Sequence, residues 1–228
     1  MPLEIEVKFL DVDHAALRER LAGLEAHYVG RWFEANIVFD DAQRSLKATG
    51  TLLRLREKSG HVVLTLKRAV GDTATVNAKV NATANAKVNA KVNAKIYDET
   101  ETDVADAASM RAILAGLGYT PALRYEKIRE KWTLLGCEVC LDTLPFGDFV
   151  EIEGDEEDIS ACAKALALPR DKASTATYHD LNRQARETSG APPDESFVFD
   201  DAVKASLLAR RATDMFAPDP LDRRPRSA

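Results

Sequence analysis

The feature that most constrains the fold of this chain is a strict alternation of charged and apolar residues near its start. In the run Glu4-Ile5-Glu6-Val7-Lys8-Phe9, every second residue is charged and the residues between are apolar. Successive side chains of a β-strand point to opposite faces of its sheet. The run therefore predicts a strand with one charged face and one apolar face.

The same period-two alternation recurs along the chain and predicts eight strands in all. They span residues 3–10, 31–40, 51–58, 61–68, 95–103, 123–133, 136–143 and 147–154. Three of the connections are only two to four residues long, as at Ser59-Gly60, and such short connections join antiparallel neighbours. We therefore expect a mostly antiparallel sheet.

Three helices are predicted between or after these strands. One follows Asp13, a plausible N-cap, and others span about 104–117 and 156–168, each with apolar residues at helical spacing. Strands with one apolar face need helices to cover that face. The predicted fold class is α+β, with helices packed outside the sheet.

Between the fourth and fifth strands, an Asn-Ala-Lys repeat interrupts the pattern. We interpret residues 70–95 as a solvated low-complexity loop insertion. The alternative is a basic flap over an anion site, formed by the four lysines of the repeat. These are Lys79, Lys87, Lys91 and Lys95.

The composition changes near the end of the chain and suggests two regions. We predict a domain over residues 1–184 and a tail over 185–228, helical over about 200–216 and disordered after Pro218. The tail offers one possible route to a homodimer.

The net charge of −6 opposes binding to nucleic acid or to an anionic membrane. No stretch of about 18 apolar residues and no basic leader occurs, so a cytoplasmic protein is expected. Cys137 and Cys140 lie three apart in a predicted strand and face opposite ways, which argues against a zinc or redox pair.

Like charges repeat two residues apart on four of the strands. The pairs are Glu4/Glu6, Arg54/Arg56, Lys127/Arg129 and Glu151/Glu153. A polar face can simply meet water, but such neighbours repel one another unless a ligand lies between them. We therefore predict an eight-stranded antiparallel closed β-barrel whose charged faces converge on a hydrated lumen.

The charged residues of this lumen suit a polyphosphate bound with a hard divalent cation. Carboxylates bind Mg²⁺ or Mn²⁺, arginines offer planar forks to phosphate oxygens, and lysines act as point charges. The candidate metal ligands are Glu4, Glu6, Glu99, Glu101, Asp142, Glu151 and Glu153. The candidate phosphate-binding residues are Lys8, Arg54, Arg56, Lys67, Lys127 and Arg129.

The run from Glu4 to Lys8 resembles the N-terminal ExExK signature of the CYTH family, the triphosphate tunnel metalloenzymes. Further similar motifs follow in order over residues 1–182. They are Leu52-Leu53-Arg54-Leu55-Arg56, Leu64-Thr65-Leu66-Lys67-Arg68, Glu99-Thr100-Glu101-Thr102, Arg124-Tyr125-Glu126-Lys127-Ile128-Arg129, Leu141-Asp142, Gly147-Asp148-Phe149-Val150-Glu151-Ile152-Glu153 and Thr177-Tyr178-His179-Asp180-Leu181.

The resemblance implies an eight-stranded tunnel and metal-assisted attack on a triphosphate. It implies that Glu4, Glu6 and Glu153 bind the main metal ion with Glu151 beside them, and that Glu99 or Glu101 assists a second ion. The catalytic set it implies is Glu4, Glu6, Lys8 and Arg56. The family often has a basic residue where this chain has Tyr97-Asp98, and the Asn-Ala-Lys repeat lies just upstream. If the repeat changes the register of the fifth strand, Glu99 and Glu101 would turn outward.

Three functions follow from this reading, each with a small-molecule triphosphate as ligand. The first is metal-dependent hydrolysis of inorganic triphosphate or an organic triphosphate such as thiamine triphosphate. The second is a class IV adenylyl cyclase, which converts ATP to cyclic AMP and pyrophosphate. The third is a non-catalytic polyphosphate-binding or nucleotide-binding module, against which the retained acidic pairs argue.

Overall fold

The computed structural model of the chain describes residues 3–69 and 95–214. Most of the Asn-Ala-Lys repeat, including Lys79, Lys87 and Lys91, lies outside these residues, as does the predicted disordered end after Pro218. The basic-flap alternative therefore stays a prediction.

The strands alternate between polar and apolar residues, as the sequence indicates. They are β1 (Leu3–Leu10), β2 (His27–Asp40), β3 (Thr51–Lys58), β4 (His61–Ala69), β5 (Lys95–Val104), β6 (Thr120–Leu134), β7 (Cys137–Leu144), β8 (Gly147–Glu153) and β9 (Ala173–Ser174). All eight predicted strands are present, with β2 and β6 beginning three or four residues earlier than expected. The count of eight was wrong, because β9 adds a ninth strand of two residues, too short to show a period.

Every named strand pair is antiparallel, which confirms the predicted sheet type. The strand order is β5-β4-β3-β2-β6-β7-β8-β1-β9, and β5 pairs in addition with β1. In that last pairing, residues 3–6 lie opposite residues 95–98.

The helices pack around this sheet. They are α1 (His14–Gly23), α2 (Ser45–Ala48), α3 (Ala107–Gly116), α4 (Glu156–Ala165), α5 (Tyr178–Ser189) and α6 (Asp201–Asp214). The N-cap prediction is confirmed, since an Asp13 carboxylate oxygen accepts from the Ala15 backbone N–H at 2.8 Å. None of the described helices is long and apolar enough to cross a membrane.

The apolar strand faces pack on the helices and form the core. Val7 and Phe9 of β1 belong to one cluster with Leu17 and Leu21 of α1 and Ile159 of α4. A second cluster joins β3 to α3 through residues such as Leu55 and Leu114. The α+β arrangement with external helices is therefore as predicted.

A third apolar cluster lies on the same strand faces as the charged residues, towards one end of the sheet. Phe149 of β8, for instance, lies directly opposite Asp142 of β7. The cluster consists of Val38, Leu123, Tyr125, Leu144, Phe149, Tyr178, Leu181 and Phe197. One end of the polar face is thus covered by apolar side chains from α5 and from the segment that follows it.

That following segment is bound to the sheet through its backbone. The Phe197 N–H donates to the Arg124 carbonyl at 3.0 Å, and the Glu126 N–H donates to the Phe197 carbonyl at 2.9 Å. Helix α5 also continues past residue 184, where we placed the start of the tail. The first part of the predicted tail therefore packs on β6, while the boundary itself stays a prediction.

Candidate functional site

The site is built on the polar faces of neighbouring strands, where paired residues point the same way. Lys8 lies opposite Glu151, and Lys67 lies opposite Glu99. Arg129 lies opposite Asp142 in the β6–β7 pairing. Strand alternation and register thus bring residues from distant parts of the sequence to one polar surface.

Asp142 is the most enclosed acid of this surface and is fully buried. Its oxygens accept from Arg129 Nε at 2.8 Å, from Lys127 Nζ at 3.0 Å and from the Tyr178 hydroxyl at 2.9 Å. The pKa of Tyr178 is raised by its burial and by the charges of Asp142 and Glu151, so the phenol stays a donor. Asp142 therefore holds two cations in place.

Glu151 links β8 to Arg129 and to one further cation, Lys8. Its carboxylate lies 2.6 Å from Lys8 Nζ and also pairs with Arg129. Lys8 contacts Glu6 as well, at 2.9 Å. Burial alone would lower the pKa of Lys8, but the charges of Glu151 and Glu6 outweigh it and raise that pKa. Both partners therefore stay charged in the folded protein.

A second group of ion pairs lies on β3, β4 and β5. Arg56 contacts Glu101 at 2.9 Å, while Arg54 contacts Glu101 at 3.4 Å and Glu99 at 3.7 Å. Lys67 lies 3.2 Å from Glu99. Glu99 and Glu101 therefore face the polar surface, so the expected risk of a flipped register in the fifth strand is not realised.

These pairs join into one network, because Lys67 also lies 3.6 Å from Glu6. The network contains six carboxylates and six cations of alternating sign. In order of contact they are Glu34, Lys127, Asp142, Arg129, Glu151, Lys8, Glu6, Lys67, Glu99, Arg54, Glu101 and Arg56. All six predicted phosphate-binding residues belong to it. Each is held by an acid in the ligand-free protein.

Glu153 differs from these acids, because within the described residues it has no hydrogen bond or ion pair. It lies opposite Glu6 in the β1–β8 register and opposite Glu138 in the β7–β8 register. Burial and the charge of Glu138 raise the pKa of Glu153 to about 7. Three carboxylates therefore form a row on adjacent strands, in which Glu6 and Glu138 pair with lysines and Glu153 has no cationic partner among the described residues.

This row fits the donor chemistry of a hard divalent cation, which is bound by carboxylate oxygens. Within residues 3–69 and 95–214, no three His, Cys, Asp or Glu side chains are already arranged around one metal position. Glu4 lies in β1 two residues before Glu6, but its side chain is outside the described residues. The predicted metal ligands Glu6, Glu151 and Glu153 lie on the neighbouring strands β1 and β8.

Sequence analysis missed several residues of the site. Glu34 and Asn36 of β2 are buried, and Glu34 lies 3.7 Å from Lys127 Nζ. Tyr125, Thr65 and Tyr178 also contact members of the ion-pair network. The polar residues at every second position of β2 were a detectable signal, but Trp32 and Val38 at the same spacing obscured it.

The thiols offer no nucleophile in this site. Cys140 lies opposite Glu151 on β7 and is buried. Burial raises its pKa to about 12, so the thiolate is scarce at neutral pH.

Comparison with known proteins supports a common fold and family. The family model described as "CYTH domain" matches residues 2–184. A curated protein of Methanocaldococcus jannaschii, named "Putative adenylate cyclase MJ0240", is 25% identical over 165 residues, which cover 72% of this chain and 83% of that protein.

Solved structures share the fold at low sequence identity. An X-ray structure described as a putative adenylate cyclase from Vibrio parahaemolyticus has a TM-score of 0.64 at 20% identity, covering 79% of this chain and 97% of that one. The protein PH1012 from Pyrococcus horikoshii OT3 has a TM-score of 0.59 at 22% identity, covering 77% and 96%. A Hippeastrum protein, HpAC1, is described as a putative adenylyl cyclase with a dominant triphosphatase activity. Its TM-score is 0.53 at 17% identity, covering 86% and 99%.

Proposed function

This chain belongs to the CYTH domain family, and from that membership we propose that it hydrolyses a small triphosphate with the help of a divalent metal ion. The observation that carries the proposal is the concentration of six cations on one polar surface. They lie on four strands, β1, β3, β4 and β6, and the acids that pair with them come from these and neighbouring strands. A monophosphate has too few anionic oxygens to contact all six cations, whereas a triphosphate spreads more of them along the surface.

We further propose that the polar faces enclose a tunnel. The pairing of β5 with β1 supports this, because it joins the two ends of the run of eight strands. A barrel of eight strands has room for one small ligand. The apolar cluster around Phe149 and Phe197 would close one end, so that the ligand enters from the end near Glu153 and Glu138.

The bound metal ion, Mg²⁺ or Mn²⁺, would be held by Glu6 of β1 and Glu153 of β8, together with Glu4, two residues before Glu6. Such an ion neutralises charge on the phosphoryl oxygens and polarises the group that is attacked. Glu153 suits this role, since it is an acid of the site without a cationic partner among the described residues.

The residues of the chain itself would bind and orient the substrate. Arg54, Arg56 and Arg129 offer planar forks to phosphate oxygens, while Lys8, Lys67 and Lys127 add point charges. On binding, phosphate oxygens would replace the carboxylates that now hold these cations. Catalysis would then rest on positioning and on charge stabilisation of the transferred phosphoryl group.

We assign Asp142 a positioning role in place of the metal-ligand role that the sequence suggested. Its oxygens are already engaged by Arg129, Lys127 and Tyr178 in a fully buried setting. A carboxylate held in this way keeps the two cations charged and directed towards the ligand.

The second candidate is a class IV adenylyl cyclase, which the name of the Methanocaldococcus relative favours. In that reaction, the ribose 3′-hydroxyl of ATP attacks the α-phosphorus and pyrophosphate leaves. The third candidate is a binding module without turnover. The same cations and acids serve all three, so only the products distinguish them.

The experiment incubates the purified protein with Mg²⁺ or Mn²⁺ and, separately, inorganic triphosphate, thiamine triphosphate or ATP. Orthophosphate, pyrophosphate and cyclic AMP are measured for the wild type and for Glu6→Gln. Orthophosphate release that is lost in the variant supports the hydrolase. Formation of cyclic AMP and pyrophosphate from ATP would support the cyclase instead. Binding of a triphosphate without any turnover would support the binding module.

A further inference from the structure

Asn36 of β2 is buried in the site and has no hydrogen-bond partner. It is 2% exposed, and neither its amide nitrogen nor its amide oxygen is bonded to any part of the chain that the structure describes. A buried amide without partners is destabilising, by an amount comparable to that of a lost hydrogen bond. A group outside the chain, such as a bound ligand, would satisfy this amide.

Its position on the sheet places Asn36 among the cations of the polar surface. It lies opposite Arg56 in the β2–β3 register and opposite Tyr125 in the β2–β6 register. Arg54 donates to the Tyr125 hydroxyl at 3.1 Å, so its guanidinium reaches from β3 across β2 to β6. Asn36 therefore lies between Arg56 and Tyr125 on the polar face, beside the contact that Arg54 makes with Tyr125.

Further unused hydrogen-bonding groups lie beside it. Arg54 Nε and Arg56 Nε are buried and make no hydrogen bond within the described residues, although both arginines form ion pairs through their terminal nitrogens. Three groups of N–H donors, from Asn36 and these two arginines, are thus left unused on neighbouring rows of β2 and β3. The oxygens of a phosphoryl group accept several N–H donors at once, and arginine guanidinium groups bind them in pairs of parallel hydrogen bonds.

We infer that Asn36 is a substrate-contact residue whose amide N–H donates to a phosphoryl oxygen of the triphosphate, between the guanidinium groups of Arg54 and Arg56. The inference rests on the proposed function and adds to it a neutral donor on β2, a strand for which the sequence suggested no site residue. A neutral donor adds a hydrogen bond without adding to the repulsion between the two arginines.

The test compares stability with affinity, because the two should respond in opposite ways. Binding of inorganic triphosphate is measured by calorimetry in the presence of a chelator, so that no metal-dependent turnover occurs, and melting temperature is measured without ligand. Asn36→Ala should raise the Kd by about tenfold to a hundredfold, the range for a hydrogen bond to a charged group. Its melting temperature should not fall below that of the wild type, since no bond is lost.

Asn36→Ala would also leave a cavity where the amide was. Asn36→Asp keeps the size of the side chain and so separates the loss of the amide from the effect of that cavity. The new carboxylate would accept from the free guanidinium nitrogens, so the ligand-free protein should melt no lower than the wild type. Its charge would repel the phosphates, so the Kd should rise more than in Asn36→Ala.

The matched control is Asn182→Ala, which removes another asparagine that is 2% exposed. Its amide donates to the Asp194 carbonyl at 2.8 Å, away from the network. This variant should melt lower and bind triphosphate as the wild type does.

Wild-type affinity in both Asn36 variants would overturn the inference and leave the proposed function intact. A lower melting temperature in both, with unchanged affinity, would also overturn it, by showing a structural role alone. If the wild type binds no triphosphate, the proposed function fails and this inference fails with it.

Discussion

Glu6 and Glu153 lie directly opposite each other on β1 and β8, and only Glu6 has cationic partners among the described residues. The raised pKa of Glu153, about 7, means that the folded state holds this proton more tightly than the unfolded state, whose value is near 4.5. Where the folded state binds more protons, stability falls as pH rises. The proton on Glu153 therefore stabilises the fold below about pH 4.5, and this contribution is lost between about pH 4.5 and pH 7.

Glu153→Gln should remove this dependence, because glutamine is always neutral. In a chelator-containing buffer, the melting temperature of the variant relative to the wild type should increase from pH 4.5 to pH 7 and then stay constant. Glu157→Gln, on the exposed side of α4, is the control and should show no such trend. A difference that does not change with pH would contradict the proposed environment of Glu153.

Metal addition should act through the same carboxylate. At pH 8, millimolar Mn²⁺ should raise the melting temperature of the wild type, since a ligand that binds only the folded state stabilises it. This rise in melting temperature should be much smaller in Glu153→Gln. In Glu157→Gln it should equal that of the wild type. Equal rises in all three proteins would place the metal elsewhere.

Asp142 should matter more for stability than any single partner of it. Asp142→Asn removes the charge that compensates Lys127 and Arg129, and breaking such a buried pair costs about 3–5 kcal/mol. Tyr178→Phe removes only the hydroxyl that donates to Asp142 and should cost about 1 kcal/mol. Urea unfolding measures both; equal losses would mean that the carboxylate does not hold the cations.

The segment after α5 should be part of the folded unit. Phe197 is buried beside Tyr125 and Phe146, so Phe197→Ala should cost about 3–4 kcal/mol of unfolding free energy. Val198 is exposed, and Val198→Ala should change stability by less than about 0.5 kcal/mol. Similar small effects in both would show that the tail is an appendage, as its composition suggested.

Much of this arrangement was predictable, because the strand period directly encodes which side chains share a face. Arg54 and Arg56, two residues apart, were expected on the polar side and lie there in contact with Glu101. The pairing of specific acids with specific bases was not predictable, since it depends on register between strands far apart in the chain. Glu153 and Glu151 look alike in sequence, yet register gives one an acidic neighbour and the other Lys8.

Other features were hidden for physical reasons of their own. Strand β9 forms by pairing with β1. Its two residues are too few to carry a sequence pattern that predicts a strand. Tyr178 belongs to a helix, where a single phenol directed at Asp142 has no recognisable spacing. Phe197 read as part of a tail because only its tertiary contacts, with Tyr125 and the backbone of β6, reveal its role.

The measurement that tests the central claim most directly is the rate of orthophosphate release from inorganic triphosphate with Mg²⁺ or Mn²⁺. It compares the wild type, Arg56→Ala and the control Arg68→Ala, whose guanidinium is exposed and pairs with Asp98 outside the network. We predict metal-dependent release by the wild type and by Arg68→Ala, with kcat/KM at least about a hundredfold lower in Arg56→Ala. No release by the wild type, or equal release by all three proteins, would contradict a triphosphatase site built on these cations.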